Sequence, residues 1–169
     1  REIKNIDEIQ LLNQAASMVD GVYHMIWEEL KPGVRENDIV AMANKMLYEM
    51  GSDDVEAINA VSGERCNPHP HNFTDRLIRP GDQAFFDILQ SYQGYRTCYY
   101  RTFNVGRATS GQNDAYIKAR ETYILASLEP DTSKVNALLD ETVKLMYQAI
   151  RAASPKKLLN HKKERDYKQ

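Results

Sequence analysis

The chain has 169 residues, the length of one ordinary domain with room for a packed core. A hydrophobic share of 42% and a charged share of 27% exclude a disordered polymer, and no apolar run approaches the roughly 18 residues a membrane-spanning helix needs. The net charge of −2 gives no strong pull toward nucleic acid or anionic lipid, and two cysteines, Cys66 and Cys98, are too few for a disulfide framework.

No signal-peptide pattern opens the chain, and a reduced, cytoplasmic setting is the expectation. The first segment reads as a helix, because Ile9, Leu12, Ala16, Val19, Tyr23, Ile26 and Leu30 recur at steps of three and four. Asn5 or Asp7 can cap its start, and Lys31-Pro32-Gly33 stops it. A second helix is expected over 36–50, with Ile39, Met42, Ala43, Met46, Leu47 and Met50 inward and Gly51 at its C-terminal end.

The period then changes. Residues 55–62 suit a strand, 63–74 read as a loop with two prolines, and Arg79-Pro80-Gly81-Asp82 as a turn. Residues 84–92 and 95–105 are rich in β-branched and aromatic types and flank Gln93-Gly94, which predicts a hairpin. Helices are expected over 113–128 and from Thr132 or Ser133 to Ser154, with Val135, Leu138, Leu139, Thr142, Val143, Met146 and Ile150 on the apolar face of the second. Leu30-Lys31-Pro32 and Leu128-Glu129-Pro130 link the two helix pairs alike, a faint internal echo. Six Lys or Arg against Glu164 and Asp166 give residues 156–169 a net of +4, which leaves −6 on the rest. This basic tail is expected to be mobile.

Asp87 lies within Ala84-Phe85-Phe86-Asp87-Ile88-Leu89. A carboxylate in such a strand must be paired, hydrogen-bonded or metal-bound. A structural ion pair with Arg96 or Arg101 is one reading, and a functional group is the other. A turn over 92–95 sets Asp87 opposite Tyr100 and diagonal to Cys98 on the same face. Cys98 is then either a small packing residue or half of a metal or nucleophile site. His69 and His71 flank Pro70 and point the same way in extended chain. They are either solvated or placed to bind a substrate carbonyl, move a proton or hold metal. Arg76, Arg79, Arg96, Arg101 and Arg107 offer guanidinium groups for a carboxylate, and Tyr92, Tyr95, Tyr99 and Tyr100 either line a pocket or pack the strands.

The segment 61–82, VSGERCNPHPHNFTDRLIRPGD, resembles the loop-and-turn segment of the pita-bread hydrolases. That superfamily, peptidase family M24, holds methionine and Xaa-Pro aminopeptidases, prolidase, creatinase and ectoine hydrolase. Residues 85–103 resemble its metal-binding hairpin, with Asp87, the Gly94-Tyr95 turn and Arg101-Thr102-Phe103 in step. The two leading helices and their Lys-Pro-Gly linker fit as well. The resemblance covers 8–106 well and 115–150 loosely. It implies an α+β, partial pita-bread fold over 1–155: a helix pair, antiparallel strands with a hairpin, then a second helix pair.

The resemblance also makes Asp87 the family's first metal ligand and puts Cys98 where the second ligand, an Asp, belongs. The family's later ligands, a His in a glycine-rich segment and two Glu on late strands, have no counterpart; the late His161 has no glycine near it. The implied cofactor is none, or a weakly bound divalent ion such as Mn, Co, Zn or Fe. The implied activity is hydrolysis of C–N bonds in peptides, amides or small zwitterions, in a creatinase-like or aminopeptidase-like manner. His69 or His71 would serve as acid/base, Asp87 would orient groups, and Arg96, Arg101 and Tyr95 would hold the substrate. The alternatives are a non-catalytic peptide- or protein-binding relative, or a truncated fragment. A half sheet without its partner layer exposes apolar surface, so a homodimer is expected.

Overall fold

The computed structural model describes residues 3–67, 70–128 and 131–153, grouped in two compact units, Arg1–Arg107 and Ala108–Gln169. The expected tail at 156–169 and the Glu129-Pro130 linker lie outside the described residues.

In the first unit, helix α1 (Ile6–Glu29) starts in a reciprocal capping box. The Asn5 side chain accepts the Glu8 N–H at 2.8 Å, and the Glu8 carboxylate accepts the Asn5 N–H at 2.8 Å. Its buried face is Ala15, Val19, Val22, Tyr23 and Ile26. The expected stripe included Ile9 and Ala16, but Ile9 is exposed and Ala15 takes the inward position. The sequence 15-19-22-26 follows the 3.6-residue period along a narrower arc than the set read from spacing. Helix α2 (Glu36–Glu49) buries Ile39, Val40, Ala43 and Leu47, whereas Met50 is exposed.

Three strands follow: β1 (Asp54–Ser62), β2 (Gln83–Tyr92) and β3 (Tyr95–Asn104), antiparallel in the order β1-β2-β3. The β2–β3 turn carries Gln93 and Gly94, both at positive φ (51° and 79°), the mirror-image turn whose twist suits a hairpin. The Asp53 carboxylate accepts the Gly94 N–H at 2.8 Å and ties the turn to the foot of β1.

Both helices pack on one face of this sheet. Ile26, Ile39, Leu47, Ile58, Phe86 and Ile88 form the centre of the core. Two polar groups cross it and are fully satisfied. The Tyr23 hydroxyl donates to the carbonyls of Phe86 and Tyr99 at 3.0 and 2.6 Å. Gln90 donates to the Ala15 carbonyl at 3.1 Å and accepts from the Ser52 hydroxyl at 2.8 Å. These bonds fix the register of α1 on the sheet, because a slip would leave buried donors unmatched.

The second unit is a helix pair, α3 (Ser110–Leu128) and α4 (Thr132–Ala153). Helix α3 begins earlier than the 113 expected. Thr109 and Gln112 form a capping box, with Gln112 accepting the Thr109 N–H at 2.9 Å and Thr109 accepting the Gln112 N–H at 3.2 Å. At the start of α4 the side chain of Asp131, not Thr132 or Ser133, accepts the Ser133 N–H at 2.9 Å. The hydroxyls of Thr122 and Thr142 meet where the two helices pack. Tyr116, Tyr123, Leu125 and Leu128 of α3 remain exposed. Among the described residues no helix is long and apolar enough to cross a membrane.

Candidate functional site

Alternation along the strands sorts the candidate residues onto two faces. The pairing Asn59↔Asp87↔Tyr100 runs across the three strands, and Leu89↔Cys98 lies two pairs further on. Asp87 therefore stands opposite Tyr100 and diagonal to Cys98, as the hairpin predicts.

Asp87 is 2% exposed. Its Oδ2 accepts from Asn59 Nδ2 at 3.1 Å, and its Oδ1 accepts from the Cys98 thiol at 3.6 Å. Tyr100, whose ring lies 6.2 Å from that of Phe85, also hydrogen-bonds Asp87. Neutral donors thus satisfy a buried carboxylate. The expected ion pair is not formed: Arg96 bonds Glu56 at 2.7 Å, and Arg101 lies 3.5 Å from Asp20. Partial burial and the Asp87 charge raise the Cys98 thiol above its ordinary value, and the same two causes raise the Tyr100 phenol. Both groups are held as hydrogen-bond donors.

Arg101 and Tyr95 belong to the other face. The Arg101 guanidinium lies over the rings of Tyr99 (4.7 Å) and Tyr23 (5.6 Å), and the Tyr95 hydroxyl donates to Glu8 at 3.3 Å. Their positions on β3 are odd-numbered, like Tyr99, whose hydroxyl bonds Ala16 and Asp20 of α1. Arg101 and Tyr95 therefore contact helix α1 across the sheet from Asp87, and of the three expected substrate-holding residues Arg96 alone has the even-numbered parity of Cys98 and Tyr100. Arg76 is also committed, in ion pairs to Glu64 (2.8 Å) and Asp82 (2.6 Å).

The loop after β1 opens with a short 3-10 turn, Gly63–Cys66. His71 is exposed on this loop, and His69 lies outside the described residues. Burial pushes the Cys66 thiol up to about 11, and the negative charge of Glu36 adds to the shift. The shift favours the neutral thiol over the nucleophilic thiolate.

The spacing argument missed Glu36. It is 0% exposed at the first turn of α2, and it accepts from both ends of the loop. Its Oε1 takes the Ser62 N–H and hydroxyl at 2.8 and 2.7 Å. Its Oε2 takes the Thr74 N–H and hydroxyl at 2.9 and 2.8 Å and forms an ion pair with Arg65. A helix-start glutamate normally faces solvent, and only the pairing of Ser62, Arg65 and Thr74 through space marks it as different.

Among the described residues the groups around Asp87 do not by themselves complete a metal centre. Asn59, Cys98 and Tyr100 bond the carboxylate as neutral donors. Among the described residues no three His, Cys, Asp or Glu side chains converge. A two-metal clamp needs several carboxylates.

A helix pair laid on an antiparallel meander, with an aspartate in its central strand, defines a partial pita-bread fold. The sequence pattern of metallopeptidase family M24 matches residues 10–161, and the chain belongs to this family. Among curated relatives, the probable dipeptidase PepE of Mycobacterium bovis is 31% identical over 118 residues, covering 69% of this chain and 31% of that protein. The Xaa-Pro dipeptidase of Pyrococcus furiosus is 24% identical over 149 residues, covering 85% and 43%. The solved prolidase of Pyrococcus furiosus superposes with a TM-score of 0.69 at 26% identity, covering 75% of this chain and 38% of that one. The dipeptidase PepE of Mycobacterium ulcerans gives 0.69 at 26%, covering 75% and 34%. The chain spans about a third of the length of the first curated relatives it matches.

Proposed function

We propose that this chain is part of a hydrolase of C–N bonds whose substrates are dipeptides or small zwitterions. The observation that carries the reading is Asp87, a buried carboxylate on the face of the hairpin opposite the helices, in a chain of family M24. The dipeptidase and prolidase names of the relatives support a peptide amide as the bond. Hydrolysis adds water across that bond, with hydroxyl to the carbonyl carbon and a proton to the leaving nitrogen. In this reading His71, with His69, takes the proton from water and returns it to nitrogen. Asp87 and its three donors orient the substrate, and Arg96 exchanges its Glu56 partner for the substrate carboxylate. A homodimer in the cytoplasm completes the proposal.

A second reading is a peptide- or protein-binding relative without turnover, favoured by the neutral donors that surround Asp87. The test is hydrolysis of Xaa-Pro dipeptides, creatine-like and ectoine-like compounds, in chelator and in Mn²⁺. Turnover that survives chelator supports metal-free hydrolysis. Turnover that needs Mn²⁺ and is lost in Asp87→Ala supports a metallopeptidase. No turnover on any of them leaves the binding reading, or a fragment without activity of its own.

A further inference from the structure

We propose that Glu36 is the positioning residue of the histidine loop: its carboxylate sets where His71 stands. The inference rests on the role given to His71 above, but the geometry behind it is independent of that role.

Five hydrogen-bond donations converge on this one buried carboxylate, from the backbone and hydroxyl of Ser62, the backbone and hydroxyl of Thr74, and Arg65. Ser62 ends β1 and Thr74 ends the loop, so Glu36 closes the loop at its base. Arg65 carries the hold toward the tip. Its Nη1 also donates to Thr74 Oγ1 at 3.1 Å, and its Nη2 donates to Asn72 Oδ1 at 3.0 Å. Asn72 is the neighbour of His71. A continuous chain of bonds therefore runs from Glu36 through Arg65 to the residue beside the histidine.

Helix α2 is fastened to the same segment by its backbone. The N–H groups of Glu36 and Asn37 donate to the carbonyls of Arg76 and Thr74, both at 3.1 Å. Two otherwise unsatisfied helix-start donors thus hold the returning strand of the loop. The side chain adds what the backbone cannot, a charge that binds Arg65. A buried carboxylate without Arg65 and its other donors would be costly, so a closure that keeps these donors on Glu36 is favoured.

The substitution Glu36→Gln keeps the shape but replaces one acceptor oxygen with an NH₂ group. That group must face either the Ser62 donors or those of Thr74 and Arg65. The milder Asn72→Ala leaves Glu36 intact and cuts the last bond before His71. Two readouts on the full chain decide the inference: amide exchange of the described loop residues against β2, and the chemical shift of the His71 imidazole resonance. We expect loop exchange to rise by about tenfold or more in Glu36→Gln while β2 keeps its protection. We expect the His71 resonance to move in both variants. An unmoved His71 in both, or a rise in exchange shared equally by β2, overturns the proposal. Should Glu36→Gln not fold, Arg65→Met with Asn72→Ala is read by the same two measurements. If the parent chain hydrolyses a dipeptide, kcat should fall more than KM changes. If it hydrolyses none, the hydrolase reading fails, and the exchange and resonance data still decide the role of Glu36.

Discussion

The Cys98 thiol lies 3.6 Å from Asp87 Oδ1, on the face of the sheet turned away from the helices, and it lies there as a donor. A carboxylate at the same position would reverse that relation. In Cys98→Asp two anions face each other beside a buried strand, and one must take a proton or recruit a cation. Without added metal the variant should lose about 1–3 kcal/mol at neutral pH, read from urea unfolding. Added Mn²⁺ should restore its melting temperature and leave that of the parent chain unmoved. A variant indifferent to Mn²⁺ would count against Cys98 as the position of a metal ligand.

The Cys66 thiol gives a pH dependence with a definite sign. Its folded pKa is raised from 9.0 to about 11, first by burial, then by Glu36 and Asp82. The folded state therefore holds this proton more tightly than the unfolded one. The stabilisation is fully present below about pH 9 and is lost as pH rises through about 11. Tyr99 and Tyr23 are raised as well, by burial first, and add losses that begin above their ordinary value of 10.0. Unfolding free energy measured between about pH 8 and about pH 11 should fall, and less steeply in Cys66→Ser. An identical slope in that variant would remove Cys66 from the explanation.

The hairpin was legible because its signals are local. Gln93-Gly94 names the turn, the turn fixes the register, and the register places Asp87, Tyr100 and Cys98 together. The helix pairs were legible from periodicity, with errors at the caps, where one side chain decides the start. The commitments of the charged groups were not legible. Arg96 and Arg101 find acids distant in sequence, at Glu56 and Asp20, and Arg76 bonds both Asp82 and Glu64, 6 and 12 residues away. Nothing in spacing distinguishes those acids from Asp87. Glu36 was hidden for the same reason, since its partners lie 26 to 38 residues away.

Gln93 occupies left-handed backbone at φ 51° without the short side chain that eases it. Asn-Gly is the preferred pair for this turn. Gln93→Asn should stabilise the chain by about 0.5–1 kcal/mol and leave the slope of urea unfolding unchanged. The side chain is exposed, so packing should contribute little to the result. A lower urea midpoint would mean that Gln93 makes a compensating contact.

Gly63 starts the histidine loop at φ +61°, and a Cβ there would stand 2.3 Å from Arg76 Nη2 and 2.8 Å from Asp82 Oδ1. Arg76 cannot retreat cheaply. It holds Asp82 at 2.6 Å, Glu64 at 2.8 Å and the Ser62 hydroxyl at 2.8 Å, and that hydroxyl also donates to Glu36. Gly63→Ala should therefore cost about 2–4 kcal/mol, from backbone strain together with a broken ion pair. Gly33 supplies the comparison. It has φ +95° with nothing near the added Cβ, so Gly33→Ala reports backbone strain alone, about 1–2 kcal/mol. The difference between the two unfolding free energies measures the Arg76 contribution. Equal losses would show that Arg76 moves aside freely and that Gly63 is there for its backbone only.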